Sequence, residues 1–155
     1  MRIDILAVGR LKAGGGEQDF VARYLDRAAA GGRAIGLSGF KVAEIPDGKS
    51  ADIEAAALLA RLKRGSRRVV LDERGKTMPS EKFAEILGNW RDQGTPGTGF
   101  LIGGPDGHGA AARDGADLLL SFGAMTWPHQ LVRAMLAEQL YRAVTILTGH
   151  PYHRA

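Results

Sequence analysis

The last third of the chain, Ser121 to Ala155, concentrates groups that can move protons or hold anions. His129, Arg133 and Arg142 lie along one segment, and His150, Tyr152, His153 and Arg154 crowd its end. Imidazole exchanges protons near neutrality, a guanidinium steadies a developing anion, and a phenol can donate or orient. Chain ends usually carry little chemistry, so this density reads as part of a site. A second candidate precedes it: Gly103-Gly104-Pro105-Asp106-Gly107-His108-Gly109, with four glycines between 103 and 109. Glycine lets a ligand approach the backbone closely, and Pro105 fixes one turn of the loop. Neither GxxxxGK[ST] nor GxGxxG is present, so the loop is not a recognised phosphate cradle, yet it carries more glycine than a simple turn needs.

These groups need elements to hold them. Trp127-Pro128 opens a helix from His129 to Leu147, because proline at a helix start gives up only an amide that has no partner. Leu131, Met135, Leu136, Leu140, Val144 and Leu147 recur at helical spacing, and Gly149 with Pro151 beyond ends the helix. Upstream, Arg2 to Val8, Phe40 to Ile45, Arg68 to Asp72, Gly99 to Ile102 and Ala116 to Ser121 read as strands. Helices are expected over Glu17 to Ala30, stopped by Gly31-Gly32, over residues 51 to 63 with Ser50 as N-cap, and over Ser80 to Trp90. Strand and helix alternate throughout, which predicts one α/β domain over residues 1–155, its mostly parallel sheet covered by helices on both faces. In such sheets ligands bind beyond the carboxyl ends of the strands. The loops after Leu71, after Ile102 and after Ser121 should therefore meet in one crevice.

Composition sets outer bounds. The 155 residues are 45% hydrophobic and 25% charged, as in a soluble globular domain. With no cysteine there is no disulfide, thiolate metal site or cysteine nucleophile, and no metal is expected. Met1 runs straight into a strand-like segment and no apolar run has spanning length, so the expected location is the cytoplasm, away from membranes. A net charge of +4 with a pI near 9.7 favours a polyanionic partner. The cluster Arg61, Lys63, Arg64, Arg67 and Arg68 serves equally well as a nucleic-acid contact or as a solvated helix end.

The combination of LIGGPDGH, SFGAMTWPHQLVRAMLAEQLYRA and the terminal TGHPYHRA, with AVGR, EIPDGK and LDERGK upstream, resembles the RlmH family throughout the chain. That family comprises single-domain SPOUT methyltransferases that methylate N3 of a pseudouridine in 23S ribosomal RNA. The resemblance implies a C-terminal trefoil knot, which sequence physics would disfavour because knots are nearly absent from proteins. It also implies S-adenosylmethionine as cofactor, bound by Leu71, Gly103, Gly104 and the segment Phe122, Gly123, Ala124, Met125, Thr126 and Trp127. The family commonly has serine where this chain has Gly123. Arg133, Arg142, Tyr152, His153 and Arg154 are the candidate catalytic residues. One of the arginines would stabilise the imide anion, and His129, His153 or Tyr152 would take the proton or orient the base. The expected partners are ribosomal RNA, free or in the assembled ribosome, and a second copy of the chain. A non-catalytic RNA- or nucleotide-binding module is the competing reading, and it leaves the chemistry of the tail without a purpose.

Overall fold

The computed structural model describes residues 1–154; Ala155, the last residue of the C-terminal stretch, lies outside the described residues. Five parallel strands form one sheet in the order β2-β1-β4-β3-β5. They are β1 (Arg2–Val8), β2 (Ser38–Ile45), β3 (Arg67–Lys76), β4 (Gly97–Ile102) and β5 (Leu118–Leu120). β1 and β4 are central and almost wholly buried, which is why IDILAV and GTGFLI read as nearly continuous apolar runs. On one face pack α1 (Gly16–Gly32), α3 (Ser80–Asp92) and α5 (His129–Thr148), closing a core around Ile3, Ile5, Phe100, Leu136 and Leu140. On the other face α2 (Ala51–Arg61) and the short α4 (Ala110–Asp114) cover Leu6, Val8, Val70 and Leu101.

The helix ends show where local signals held and where they did not. Ser50 caps α2 by accepting from the Ile53 N–H at 3.2 Å, and Gly149 closes α5 in the left-handed conformation at φ +71°, both as the sequence predicts. Gly31 and Gly32, however, do not stop α1. The helix runs through them and ends in a short 3-10 turn at Gly36, where φ is +74°. The reason is close packing. A Cβ on Gly31 would stand 2.9 Å from Val144 Cγ1, and one on Gly32 would stand 2.9 Å from the Phe40 ring. These glycines let α1 settle against α5 and β2. Phe40 itself has φ +53° at the register shift of β2 against Ile3 and Asp4, and the bulge turns its ring under α1.

β3 has an unusual end. Leu120 of β5 is paired both with Leu71 and with Lys76, so residues 71 to 76 fold around it. Ser121 N–H donates to Lys76 O at 2.9 Å. Gly75 sits where the enclosure is tightest, since a Cβ there would lie 2.7 Å from the Leu119 carbonyl. A chain segment gripped by an earlier loop is the kind of crossing from which a trefoil is built.

Candidate functional site

Three strand ends meet as the parallel topology requires. Leu71 and Asp72 of β3 where it has stopped pairing with β4, Ile102 and Gly103 at the end of β4, and Leu120 of β5 with Phe122, Gly123, Met125, Thr126 and Trp127 after it line one cavity of about 300 Å³. His129 and Val132 of α5 close it, and Asp106, Gly107 and His108 form its glycine-loop wall. Leu71, Ile102 and Leu120 are buried and make an apolar floor, while Met125 and Trp127 stand exposed at 73% and 40%. An apolar floor ringed by polar groups, here Asp72, Glu73, Arg74, Asp106, His108, Thr126 and His129, is a usual form of a small-molecule site.

Each wall is tied to the sheet. Ser121 Oγ accepts from Gly123 N–H at 3.1 Å and lies within donating reach of Glu73 O and Gly123 O, at 3.1 and 2.9 Å. Thr126 Oγ1 donates to Glu73 Oε2 at 3.0 Å. The loop after β5 is thereby fastened to the loop after β3. Gly123 adopts φ +120° with nothing within 4 Å of where a Cβ would stand, so it opens space and relies on a backbone that side chains rarely adopt. The Ser121 hydroxyl, two residues earlier, makes the polar contacts in this loop. Burial pushes the Asp72 carboxyl up, but hydrogen bonds from the Arg74 side chain and backbone outweigh it and hold Asp72 below the ordinary carboxylate range. Arg113 of α4 also approaches it at 3.7 Å.

Of the residues expected to hold a cofactor, Leu71, Gly103, Phe122, Gly123, Met125, Thr126 and Trp127 line this cavity. Gly104 and Ala124 do not. The open side of Gly104 faces Val8 and the Glu54 carboxylate, on the α2 side of the sheet. Sequence reasoning passed over Asp106, His108 and Val132 as lining groups, and only their neighbourhood to the glycine loop or the helix start could have flagged them.

The candidate catalytic residues divide into two places. Arg133 is 1% exposed. It donates to Glu44 at 2.7 Å and to the carbonyls of Gly9 and Val8 at 3.0 and 3.4 Å, so it fastens α5 to the ends of β1 and β2 and does not face the crevice. Burial raises the Glu44 carboxyl, while Arg133 and the Leu11 N–H more than reverse this and leave it below its usual value. The tail folds back on α5 through a short 3-10 turn at Pro151–His153. There the Tyr152 hydroxyl donates to Glu138 at 3.0 Å and lies 3.4 Å from the Tyr24 hydroxyl, while Arg142 pairs with the same Glu138 and stacks over the Tyr152 ring at 5.1 Å. Burial, with the bonds to Tyr24 and Glu138, pushes the Tyr152 phenol well above its ordinary value, so at neutral pH it stays protonated and acts as a hydrogen-bond donor. His153 is half-buried and Arg154 exposed. None of the described tail residues lines the 300 Å³ crevice of its own chain.

Glu138 belongs to a larger groove of about 800 Å³ between α1, α3 and α5, lined by Phe20, Met78, Phe83, Leu131 and Met135 among others. Crevice and groove share Leu120, Phe122 and Gly123. The basic cluster is elsewhere. Arg67 and Arg68 open β3 at the far end of the sheet, where Arg67 pairs with Asp117 and lies over Trp90, and Arg68 reaches the carbonyls of Ala111 and Ala112. No group of metal-binding residues occurs among the described residues, and none of the described helices is long and apolar enough to cross a membrane.

A deep all-parallel sheet whose gripped C-terminal segment walls an apolar crevice is the architecture of a class of methyltransferases, and the comparisons agree. A profile described as predicted SPOUT methyltransferase matches residues 1–153. The chain belongs to the SPOUT methyltransferase family and is a methyltransferase. It is 54% identical over 160 residues to the ribosomal RNA large subunit methyltransferase H of Rhizobium etli, covering 99% of each chain. The protein of that name from Hyphomonas neptunium is 54% identical over 155 residues, with both chains fully covered. A probable methyltransferase from Bordetella pertussis, 13% identical, superposes with a TM-score of 0.51 over 92% of this chain and 95% of that one, a likeness of fold.

Proposed function

We propose that this protein transfers a methyl group from S-adenosylmethionine to N3 of a pseudouridine in 23S ribosomal RNA. The observation that carries the reading is the meeting of three strand-end loops in one crevice, in a chain that matches ribosomal RNA methyltransferases along its whole length. The residues fit the cofactor. Leu71, Ile102, Leu120 and Val132 suit an apolar ring, and Gly123, with nothing within 4 Å of where a Cβ would stand, offers backbone unshielded by side chains. Bound there, the cofactor supplies a methyl already activated by its sulfonium.

The work left to the protein is alignment and charge. N3 lies between two carbonyls and attacks only after losing its proton, so the N3–H bond breaks, an N–CH₃ bond forms and a thioether leaves. A nearby cation lowers the cost of the imide anion. Arg142, Tyr152, His153 and Arg154 are the substrate-facing set, and Arg133 serves by holding α5 in place. Tyr152 donates or orients, which leaves His129 or His153 to accept the proton.

The tail lies away from its own crevice, so the complete site draws on two chains. The groove bordered by Phe20, Phe83, Leu131 and Met135 is the face that a second copy covers, and the tail beside it then reaches the partner's crevice. In this reading the trefoil is tied near Leu120, and the pairing of Leu120 with both Leu71 and Lys76 supports it. The test is twofold: titration with S-adenosylhomocysteine, and mass spectrometry of 23S ribosomal RNA from cells with and without the protein. Binding together with loss of one methyl in its absence is expected. Unchanged ribosomal RNA would refute the assignment.

A further inference from the structure

The glycine loop is held by a group that the methyl transfer does not call upon. Gly103 follows β4 at the point where β3 and β4 have stopped pairing, their last registered pair being Val70 and Leu101. Its N–H therefore has no strand carbonyl and donates instead to Nε2 of His108 at 3.0 Å. His108 is only 8% exposed, and its Nδ1 is buried with no hydrogen-bond partner among the described residues. An imidazole whose Nε2 accepts must be neutral and carry its single proton on Nδ1. The backbone of Leu71 and Leu101 and the charge of Asp72 lie close to the ring and favour its charged form.

We propose that neutral His108 is the positioning residue that holds the 103 to 107 loop as one wall of the crevice, and that protonating it releases Gly103 and weakens the grip on the cofactor. The proposal rests on the cofactor reading above. A second proton on the ring must go to Nε2, which then stops accepting and points an N–H at an N–H. Gly103 and Gly107 are already in close contact, since a Cβ on Gly103 would lie 2.8 Å from Gly107 O. The loop therefore cannot tighten to recover the lost bond and has to open. Burial holds the ring below its ordinary value, more than offsetting Asp72 and the backbone of Leu71 and Leu101. The surrounding charges are Asp72 with its partners Arg74 and Arg113, Asp106 on the loop itself, Glu73 and His129 on the crevice walls, and Asp52 and Glu54 of α2 behind Gly109 and Gly104. The neutral ring's contribution is present above about 6.5, the usual histidine value, and is lost as pH falls through the lower native value.

Two substitutions separate positioning from mere packing. His108→Gln puts a neutral amide oxygen near the Nε2 position, and His108→Phe keeps a ring without an acceptor. With S-adenosylhomocysteine as the calorimetric probe, we expect the Gln variant to bind about as tightly as wild type at pH 8 and the Phe variant roughly tenfold more weakly, as for one buried donor left unpaired. Between pH 8 and 5.5 wild type should lose affinity that the Gln variant keeps, while any loss common to both belongs to groups other than His108. Parallel curves for wild type and Gln, or a Phe variant as tight as wild type, overturn the proposal. Nitrogen-15 spectra of the ligand-free protein give an answer even if the probe does not bind, an outcome that would instead count against the cofactor reading. His108 should show the Nδ1–H tautomer and titrate below 6.5, and an Nε2–H tautomer or an ordinary midpoint also overturns it.

Discussion

Arg133→Met is the most decisive test of how α5 is anchored. The substitution keeps most of the buried stem and removes a guanidinium that makes three hydrogen bonds, to Glu44, Gly9 O and Val8 O. Glu44 is 31% exposed in its side chain and keeps the Leu11 N–H, so its stranded charge is partly relieved by solvent. Breaking a fully buried pair costs about 3–5 kcal/mol, and this exposure puts the loss at the lower end, about 3 kcal/mol. The carbonyl of Gly9, left without its donor, adds about 1 kcal/mol. In a domain of this size that lowers the melting temperature by roughly 8–16 °C, at about 2–4 °C per kcal/mol. The pH dependence carries a signature of its own. Glu44 has its native value held down by Arg133, so its stabilisation is present above about 4.5 and is lost as pH falls through the lower native value. The variant should show a flatter acid limb in calorimetry or chemical denaturation. At low temperature, where it remains folded, its cofactor affinity should stay within a few fold of wild type. A variant that melts within 2 °C of wild type (about 1 kcal/mol or less) but is catalytically dead would refute this account and return Arg133 to the substrate.

Gly75→Ala should destabilise the enclosure of Leu120 by about 1–3 kcal/mol, because its Cβ meets the Leu119 backbone at 2.7 Å and backbone cannot rotate away; thermal unfolding checks it. Glu138→Gln removes the charge that gathers Arg142 and Tyr152, so methylation should fall at least tenfold with cofactor binding by calorimetry nearly unchanged, and equal losses in both would place the tail's role in the pocket. A Gly103→Val chain mixed with an Arg154→Ala chain, each inactive alone, should regain partial methylation if sites are shared between two copies. No rescue, or a single-chain mass by light scattering, would count against the dimer.

Much of this arrangement is legible in the sequence. Alternation of apolar strands with amphipathic helices gives the layers, and the rule that parallel sheets bind ligands at their carboxyl ends brings Leu71, Gly103 and Phe122 to one place. The misses share a cause: a residue type with two uses, decided by a neighbour far along the chain. Gly31 and Gly32 look like a helix stop and are a contact surface for Val144 and Phe40. Arg133 looks like a free cation until Glu44, 89 residues away, takes it. The breadth of apolar surface on α5 points to a partner chain, yet Leu136 and Ala143 are buried within this one, because α5 packs on α1 and α3 together. What remains uncovered is Leu131 with the groove beside it. α4 escaped notice because AAARD is too short for periodicity to register.

The double pairing of Leu120 also sets an order of events during synthesis. β3 leaves the ribosome more than forty residues before β5, so the 71 to 76 loop exists first and stands without the strand it grips. Until residues 118 to 121 arrive, Ser121 cannot bind Lys76, Thr126 cannot reach Glu73, and the crevice has only two of its three walls. Such long-range pairing is slow to form, because chain entropy is lost before contacts repay it. A ribosome that stalls before residue 118 therefore releases a chain with four of its five strands and an incomplete binding site. The ligand recognises only chains that extend past β5 into the start of α5, which makes cofactor binding a late mark of folding.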